Sequence, residues 1–112
     1  MEWVFIGVVV AFFVWRMMPT KGVKSMSTAD LKNILDDKDM IFIDVRTPGE
    51  YKERNIRQFK NIPLGSSFSS LPKDKEIIVI CQSGMRSSKA CKQLKKQGFQ
   101  HVTNVRGGMS AW

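Results

Sequence analysis

Residues 77–87 read Ile77-Ile78-Val79-Ile80-Cys81-Gln82-Ser83-Gly84-Met85-Arg86-Ser87. Four consecutive β-branched apolar residues predict a strand covered on both faces, as in a parallel sheet. Downstream, Ser87, Ala90, Cys91 and Leu94 recur at helical spacing, which predicts a helix over residues 87–97 closed by Gly98. A thiol at the end of a buried strand therefore opens a short loop into a helix N-terminus. Backbone N–H groups of such a loop converge on the sulfur, and the positive end of the helix dipole points the same way. Both effects favour the thiolate, which is the nucleophilic form.

Working outward, Met40-Ile41-Phe42-Ile43-Asp44-Val45 is a second continuous apolar strand. Thr47-Pro48-Gly49 breaks it, and Pro48 can open a short helix reaching Arg54. Ser27-Thr28-Ala29-Asp30 has the form of a capping box, ahead of a helix whose apolar face carries Leu31, Ile34 and Leu35. Ile62-Pro63-Leu64 and the Ser-rich residues 65–70 make a long, irregular connection. A last strand over 101–105 leads to Arg106-Gly107-Gly108 and a helical turn at 109–112. Strands alternating with helices predict an α/β domain of three layers around a mostly parallel sheet. Ligands of such sheets bind beyond the carboxyl ends of the strands. Cys81, Arg46 and Gly107-Gly108 all follow strand ends and are expected to gather there.

The front of the chain has another character. Residues 3–15 are apolar without interruption, and Met17 and Met18 extend the run past Arg16. Counted through Met18 the run comes close to a membrane span, with Trp3 and Trp15 placed as interfacial aromatics and Arg16 able to snorkel. It lacks a basic n-region and a small-x-small cleavage site, which disfavours a cleaved signal peptide. The expected organisation is a transmembrane helix over 1–18, a linker over 19–24 and one domain over 25–112. Arg16, Lys21 and Lys24 follow the run, so the positive-inside rule puts the domain on the cytoplasmic side of the cell membrane as a single-pass protein. In that reducing compartment Cys81 and Cys91 are expected as free thiols. The net charge of +8 comes with no nucleic-acid motif; of the competing readings, which include attraction of a small anionic substrate, solubility and nearness to an anionic membrane account for it.

Four segments together resemble the rhodanese domain. They are Asp44-Val45-Arg46-Thr47-Pro48-Gly49-Glu50-Tyr51, Asn61-Ile62-Pro63-Leu64, Cys81 to Ser87, and Gly107-Gly108-Met109-Ser110-Ala111-Trp112. The resemblance implies a sulfurtransferase that carries a persulfide on Cys81, with Gln82, Ser83, Gly84, Met85 and Arg86 as the active-site loop. It implies a sulfane donor such as thiosulfate or a persulfide, a thiol or cyanide as acceptor, and no metal or organic cofactor. Asp44 and Arg46 resemble the family's structural pair supporting the loop, and Gly107 and Gly108 would permit close backbone approach beside it. Arg86 either holds an anionic donor or closes the loop against an acidic partner. Related phosphatases of the cell-cycle type have five residues between Cys and Arg; the four here, Gln82 to Met85, suit sulfur better than phosphate. The chain departs from the family at Arg54-Asn55-Ile56-Arg57-Gln58-Phe59, where members often show Gly-His-Ile-x-Gly-Ala. Arg54 in place of that Gly requires a changed turn or a negative φ.

Other chemistry-bearing residues have simpler roles. Cys91 lies on the apolar helix face and is expected in the core rather than as a resolving thiol. His101, the single histidine, has no ligand cluster near it in sequence. Trp112 is expected to pack on the domain. Two alternatives to an enzyme stay open: a non-enzymatic, membrane-tethered interaction module, and a redox sensor pairing Cys81 with Cys91.

Overall fold

The computed structural model describes residues 23–112. The expected transmembrane helix at 1–18 lies outside the described residues, among which no helix is long and apolar enough to cross a membrane. The elements in chain order are β1 (Val23–Met26), α1 (Thr28–Ile34), β2 (Ile41–Asp44), α2 (Pro48–Glu53), β3 (Lys60–Asn61), β4 (Glu76–Ile80), α3 (Met85–Lys96), β5 (His101–Val105) and α4 (Gly108–Ala111). The five strands lie in the order β1-β5-β4-β2-β3, and every pairing is parallel.

Two of these strands were not expected from the sequence. β1 begins at Val23, inside the stretch assigned to the linker, so the domain starts before residue 25. Val-Lys-Ser-Met shows no apolar alternation because this is an edge strand; backbone pairing with β5, from Val23↔Val102 to Met26↔Val105, defines it. β3 is two residues paired with the end of β2. Two residues cannot display a period. The expected strands and helices otherwise appear within a few residues of their expected bounds. Ser27 caps α1 by accepting the Asp30 N–H (3.1 Å), which is one half of the expected box. The complete box occurs instead at α2, where Thr47 and Glu50 bond reciprocally.

β4 shows why the continuous apolar run was needed. Ile77 and Val79 face a core shared with Ala90, Cys91 and Leu94 of α3. Ile78 and Ile80 face the opposite core, with Leu31 of α1 and Met109 of α4. All four are fully buried, and each stabilises the fold by about 1.5–3 kcal/mol relative to exposure. Continuing the alternation, Cys81 falls on the α3 side. The sheet's carboxyl edge thus delivers Cys81 from β4, Arg46 from β2 and Gly107-Gly108 from β5 to one place.

Candidate active site

The loop is shaped by glycine. Gly84 caps α3 at φ +101°, a left-handed conformation that side chains resist. This lets α3 begin at Met85, two residues before the apolar face, and turns the Gly84 N–H onto Cys81 Sγ at 3.0 Å. Ser87 Oγ lies 3.3 Å from the same sulfur. α3 has no acidic residue in its first turn, so nothing else claims the positive end of its dipole.

Burial pushes the Cys81 thiol up, but bonds from the Ser87 hydroxyl and from the Ser87, Gly84 and Ser83 N–H groups outweigh it. The net effect holds Cys81 below its ordinary value. All four donors stabilise the anion more than the neutral thiol, whose sulfur is a weaker acceptor.

Behind the loop stands α4. The Met109 N–H donates to Cys81 O (2.8 Å) and the Ser110 N–H to Gln82 O (2.9 Å). That approach excludes a side chain at Gly108, where a Cβ would sit 2.1 Å from Cys81 O. The expected close backbone approach is therefore made by Gly108. Gly107, at φ +74°, supplies the preceding turn.

Asp44 and Arg46 form the expected pair, both buried. Arg46 reaches the Asp44 carboxylate through Nε (3.1 Å to each oxygen) and Nη2 (2.8 Å). Its guanidinium also donates to Glu50 O (3.3 Å) and Arg54 O (2.6 Å), tying α2 to the sheet edge. Arg54 has φ −156°, extended backbone that needs no glycine, which explains how the chain departs from the Gly-containing pattern there.

Arg86 has the acidic partner. Its Nη1 and Nη2 donate to the two carboxylate oxygens of Glu50 at 2.6 and 2.9 Å. The Arg86 bonds, with help from Thr47 against a burial penalty, hold the Glu50 carboxyl down to about 2. Arg86 is held above its ordinary value in turn, first by its bond to Glu50 against a burial penalty, with smaller contributions from the charges of Glu50, Cys81 and Asp44. Two of the five guanidinium N–H donors of Arg86 are thus engaged by α2, and its charge is paired there.

A protein-family model described as "Rhodanese-like domain" matches residues 27–112. The chain belongs to the rhodanese family. It is 46% identical over 94 residues to "Putative sulfurtransferase YtwF" of Bacillus subtilis, covering 80% of this chain and 90% of that protein. It is 36% identical over 84 residues to a protein named "Sulfurtransferase" from Allochromatium vinosum, covering 72% and 78%. A rhodanese-like domain protein of Staphylococcus aureus has a solved structure that superposes with a TM-score of 0.73 at 35% identity, covering 80% of this chain and 90% of that one.

Within this rhodanese domain the loop residues Gln82, Ser83 and Met85 are exposed, and Met85 stands out at 73% exposure. Cys91 is fully buried beside α3's other core residues. Burial, and then the charge of Cys81, push its thiol up to about 12, so it stays protonated and poorly suited to attack a sulfur at Cys81. His101 is exposed and lines a cleft of about 630 Å³ with Asp37, Asp39, Asp74 and Glu76 at the amino-terminal edge of the sheet, away from Cys81. No cluster among the described residues has the make-up of a metal site. Trp112 packs on the α1–α4 core, with Lys32 Nζ 5.3 Å from its ring centroid.

Three participants escaped the sequence. Ser87 closes the loop motif and belongs to a helix face in the sequence, which assigns it no role at the sulfur. Asn104 bridges β5 to the loop, accepting from Ser87 Oγ and donating to Gly84 O (3.3 Å). Glu50 carried a signal that was available, since Thr47-Pro48-Gly49-Glu50 has capping-box spacing and announces a carboxylate fixed at a helix start.

Proposed function

We propose that this rhodanese domain is a sulfurtransferase that carries sulfane sulfur as a persulfide on Cys81. One observation carries the proposal: the Gly84 N–H and the Ser87 hydroxyl both address Cys81 Sγ at the N-terminus of α3. In the first step the Cys81 thiolate attacks the outer sulfur of a donor such as thiosulfate or a persulfide. A new Sγ–S bond forms, the donor's S–S bond breaks, and its electron pair leaves with sulfite or a thiolate. In the second step an acceptor thiolate or cyanide attacks the outer sulfur and releases Cys81 as thiolate. Neither step needs an external oxidant or reductant. The loop donors stabilise the anionic sulfur at both ends of the cycle, as an oxyanion hole does for oxygen.

The sulfurtransferase names of the Bacillus and Allochromatium relatives support this assignment. So does the capture of Arg86 by Glu50, since a phosphatase of this loop type needs that guanidinium for its phosphate. The apolar run at 3–18 and its basic flank support attachment to a membrane with the domain on the cytoplasmic side.

Mass spectrometry after exposure to sulfane donors tests the proposal. We expect one added sulfur on Cys81, absent in Cys81→Ser. A folded protein that takes no sulfur from either thiosulfate or an organic persulfide refutes it. Preserved cellular function in Cys81→Ser would favour the non-enzymatic docking module instead.

A further inference from the structure

The ion pairs beside the loop are balanced in charge. Asp44 is paired with Arg46 and Glu50 with Arg86, so a Cys81 thiolate leaves one net negative charge among the five. The loop residues Gln82, Ser83 and Met85 add none. Glu50 is an unusually firm partner. Its Oε1 also accepts from the Thr47 N–H (3.2 Å) and the Thr47 hydroxyl (3.0 Å), as the N3 residue of a complete capping box. The carboxylate is therefore fixed by its own helix as well as by Arg86, which meets it through both terminal nitrogens.

This arrangement matters for the donor. Thiosulfate is a dianion, and its approach to a thiolate is repulsive unless a cation offsets the charge. Those charges of the chain's net +8 that lie beyond about 8 Å of the loop are screened at physiological ionic strength. The loop's own arginine has its charge paired and two of its five N–H donors engaged by Glu50. An organic persulfide, R–S–SH, brings no oxyanion, and its carbon group can lie against the exposed Met85 side chain.

Resting on the persulfide-carrier assignment above, we propose that Glu50 is a specificity-determining residue: by holding Arg86 it makes the site select organic persulfides over oxyanion donors. The Cys81 thiolate attacks the terminal sulfur of R–S–SH, the Sγ–S bond forms, and R–S⁻ departs with the electron pair of the broken S–S bond. The proton stays on the transferred sulfur. A protein or low-molecular-weight thiol persulfide is the chemical class that fits.

The test compares single-turnover persulfidation of Cys81 by glutathione persulfide and by thiosulfate in full-length protein, read as the ratio of the two second-order rate constants. A general loss of loop order lowers both rates and cancels in the ratio. Wild type is expected to favour the persulfide by tenfold or more, in line with the loss of one charge-assisted bond to the oxyanion, on the order of tenfold to a hundredfold. Glu50→Gln keeps a capping-box residue at N3 but removes the charge that holds Arg86. It is expected to shift the ratio about tenfold toward thiosulfate, and Glu50→Gln/Arg86→Gln is expected to abolish that gain. An unchanged ratio in Glu50→Gln overturns the proposal. So does a selective loss of thiosulfate reactivity in Arg86→Gln or Arg106→Gln alone, because either shows an oxyanion already held in wild type. Failure of both donors in wild type would refute the carrier assignment itself, a separate outcome.

Discussion

Ser87 offers a direct test of how the loop makes its anion. Its hydroxyl has one proton and two acceptors within reach: Cys81 Sγ at 3.3 Å and Asn104 Oδ1, closer still. The Asn104 amide is oriented by its Nδ2 bond to Gly84 O, which leaves Oδ1 toward Ser87. When Cys81 is a thiol, the Ser87 proton can stay on Asn104. When Cys81 ionises, the proton is worth more on sulfur, because a bond to a charged acceptor stabilises by about 1.5–3 kcal/mol against roughly 1 for a neutral one. The net gain from Ser87 is the difference, about 1.4 kcal/mol, or about tenfold in thiolate population.

Ser87→Ala should therefore move the pH profile of Cys81 alkylation by iodoacetamide toward alkaline pH. On the rising limb the rate at fixed pH should fall about tenfold, while the high-pH plateau is retained. Asn104→Ala has the opposite expectation: with the competing acceptor gone, the Ser87 proton is available to sulfur and the profile moves toward acid. Opposite signs from two neighbours cannot arise from a common folding defect. Superimposable wild-type and Ser87→Ala profiles, or equal slowing by both substitutions, would refute the account.

Other substitutions probe the frame. Gly108→Ala should destabilise by about 3–5 kcal/mol in urea unfolding, combining a left-handed backbone with a Cβ driven into Cys81 O. Gly65→Ala, also at positive φ but with nothing within 4 Å, should cost only about 1 kcal/mol, and equal costs would remove the steric explanation. Arg46→Ala leaves the Asp44 carboxylate buried and uncompensated, for about 3–5 kcal/mol; rescue by Arg46→Lys in the same assay would count against the forked geometry. Glu50 has a folded value of about 2 against an ordinary 4.5, so the unfolded chain binds the extra proton between them. Its stabilisation is complete above about pH 4.5 and is lost as pH falls toward 2. Acid-unfolding curves for Glu50→Gln should be flatter across that window, and identical slopes would contradict the pairing. Cys91 has the opposite sign, raised from 9.0 to about 12, so its burial stabilises below pH 9 and progressively less above it. Native alkylation should accordingly label Cys81 and spare Cys91 until the domain unfolds, and early labelling of Cys91 by mass mapping would contradict its core placement.

The parts of the fold visible in the sequence are those whose signal is repeated. β2 and β4 are apolar on both faces because both faces are covered, and a run of Ile and Val says so without knowledge of the partners. β1 and β3 carry no such repetition. β1 is an edge strand held by backbone bonds to β5, which cannot be inferred before β5 has been placed beside it. The same asymmetry governs the caps. The local Ser27 and Thr47 signatures were both readable, but only the three-dimensional backbone shows that the Thr47 box closes fully.

The active site divides along the same line. Cys81, Gly84 and the start of α3 are contiguous, so strand, thiol, turn and dipole can be assembled from one stretch of sequence. The partners of the loop's side chains are remote in sequence. Asn104 comes from β5 and Glu50 from α2, with 36 residues separating Glu50 from Arg86. Sequence alone left Arg86 with two roles, donor binding or loop closure, because an arginine's chemistry does not reveal where its partner is. In the structure that partner is a carboxylate on a neighbouring helix. On the proposed reading that pairing changes the chemistry expected of the site: the same loop with an unpaired arginine would be suited to an oxyanion, whereas here the guanidinium charge is already balanced. Reactivity of the sulfur is thus set locally by the loop, and discrimination among donors by residues brought to it through the sheet edge.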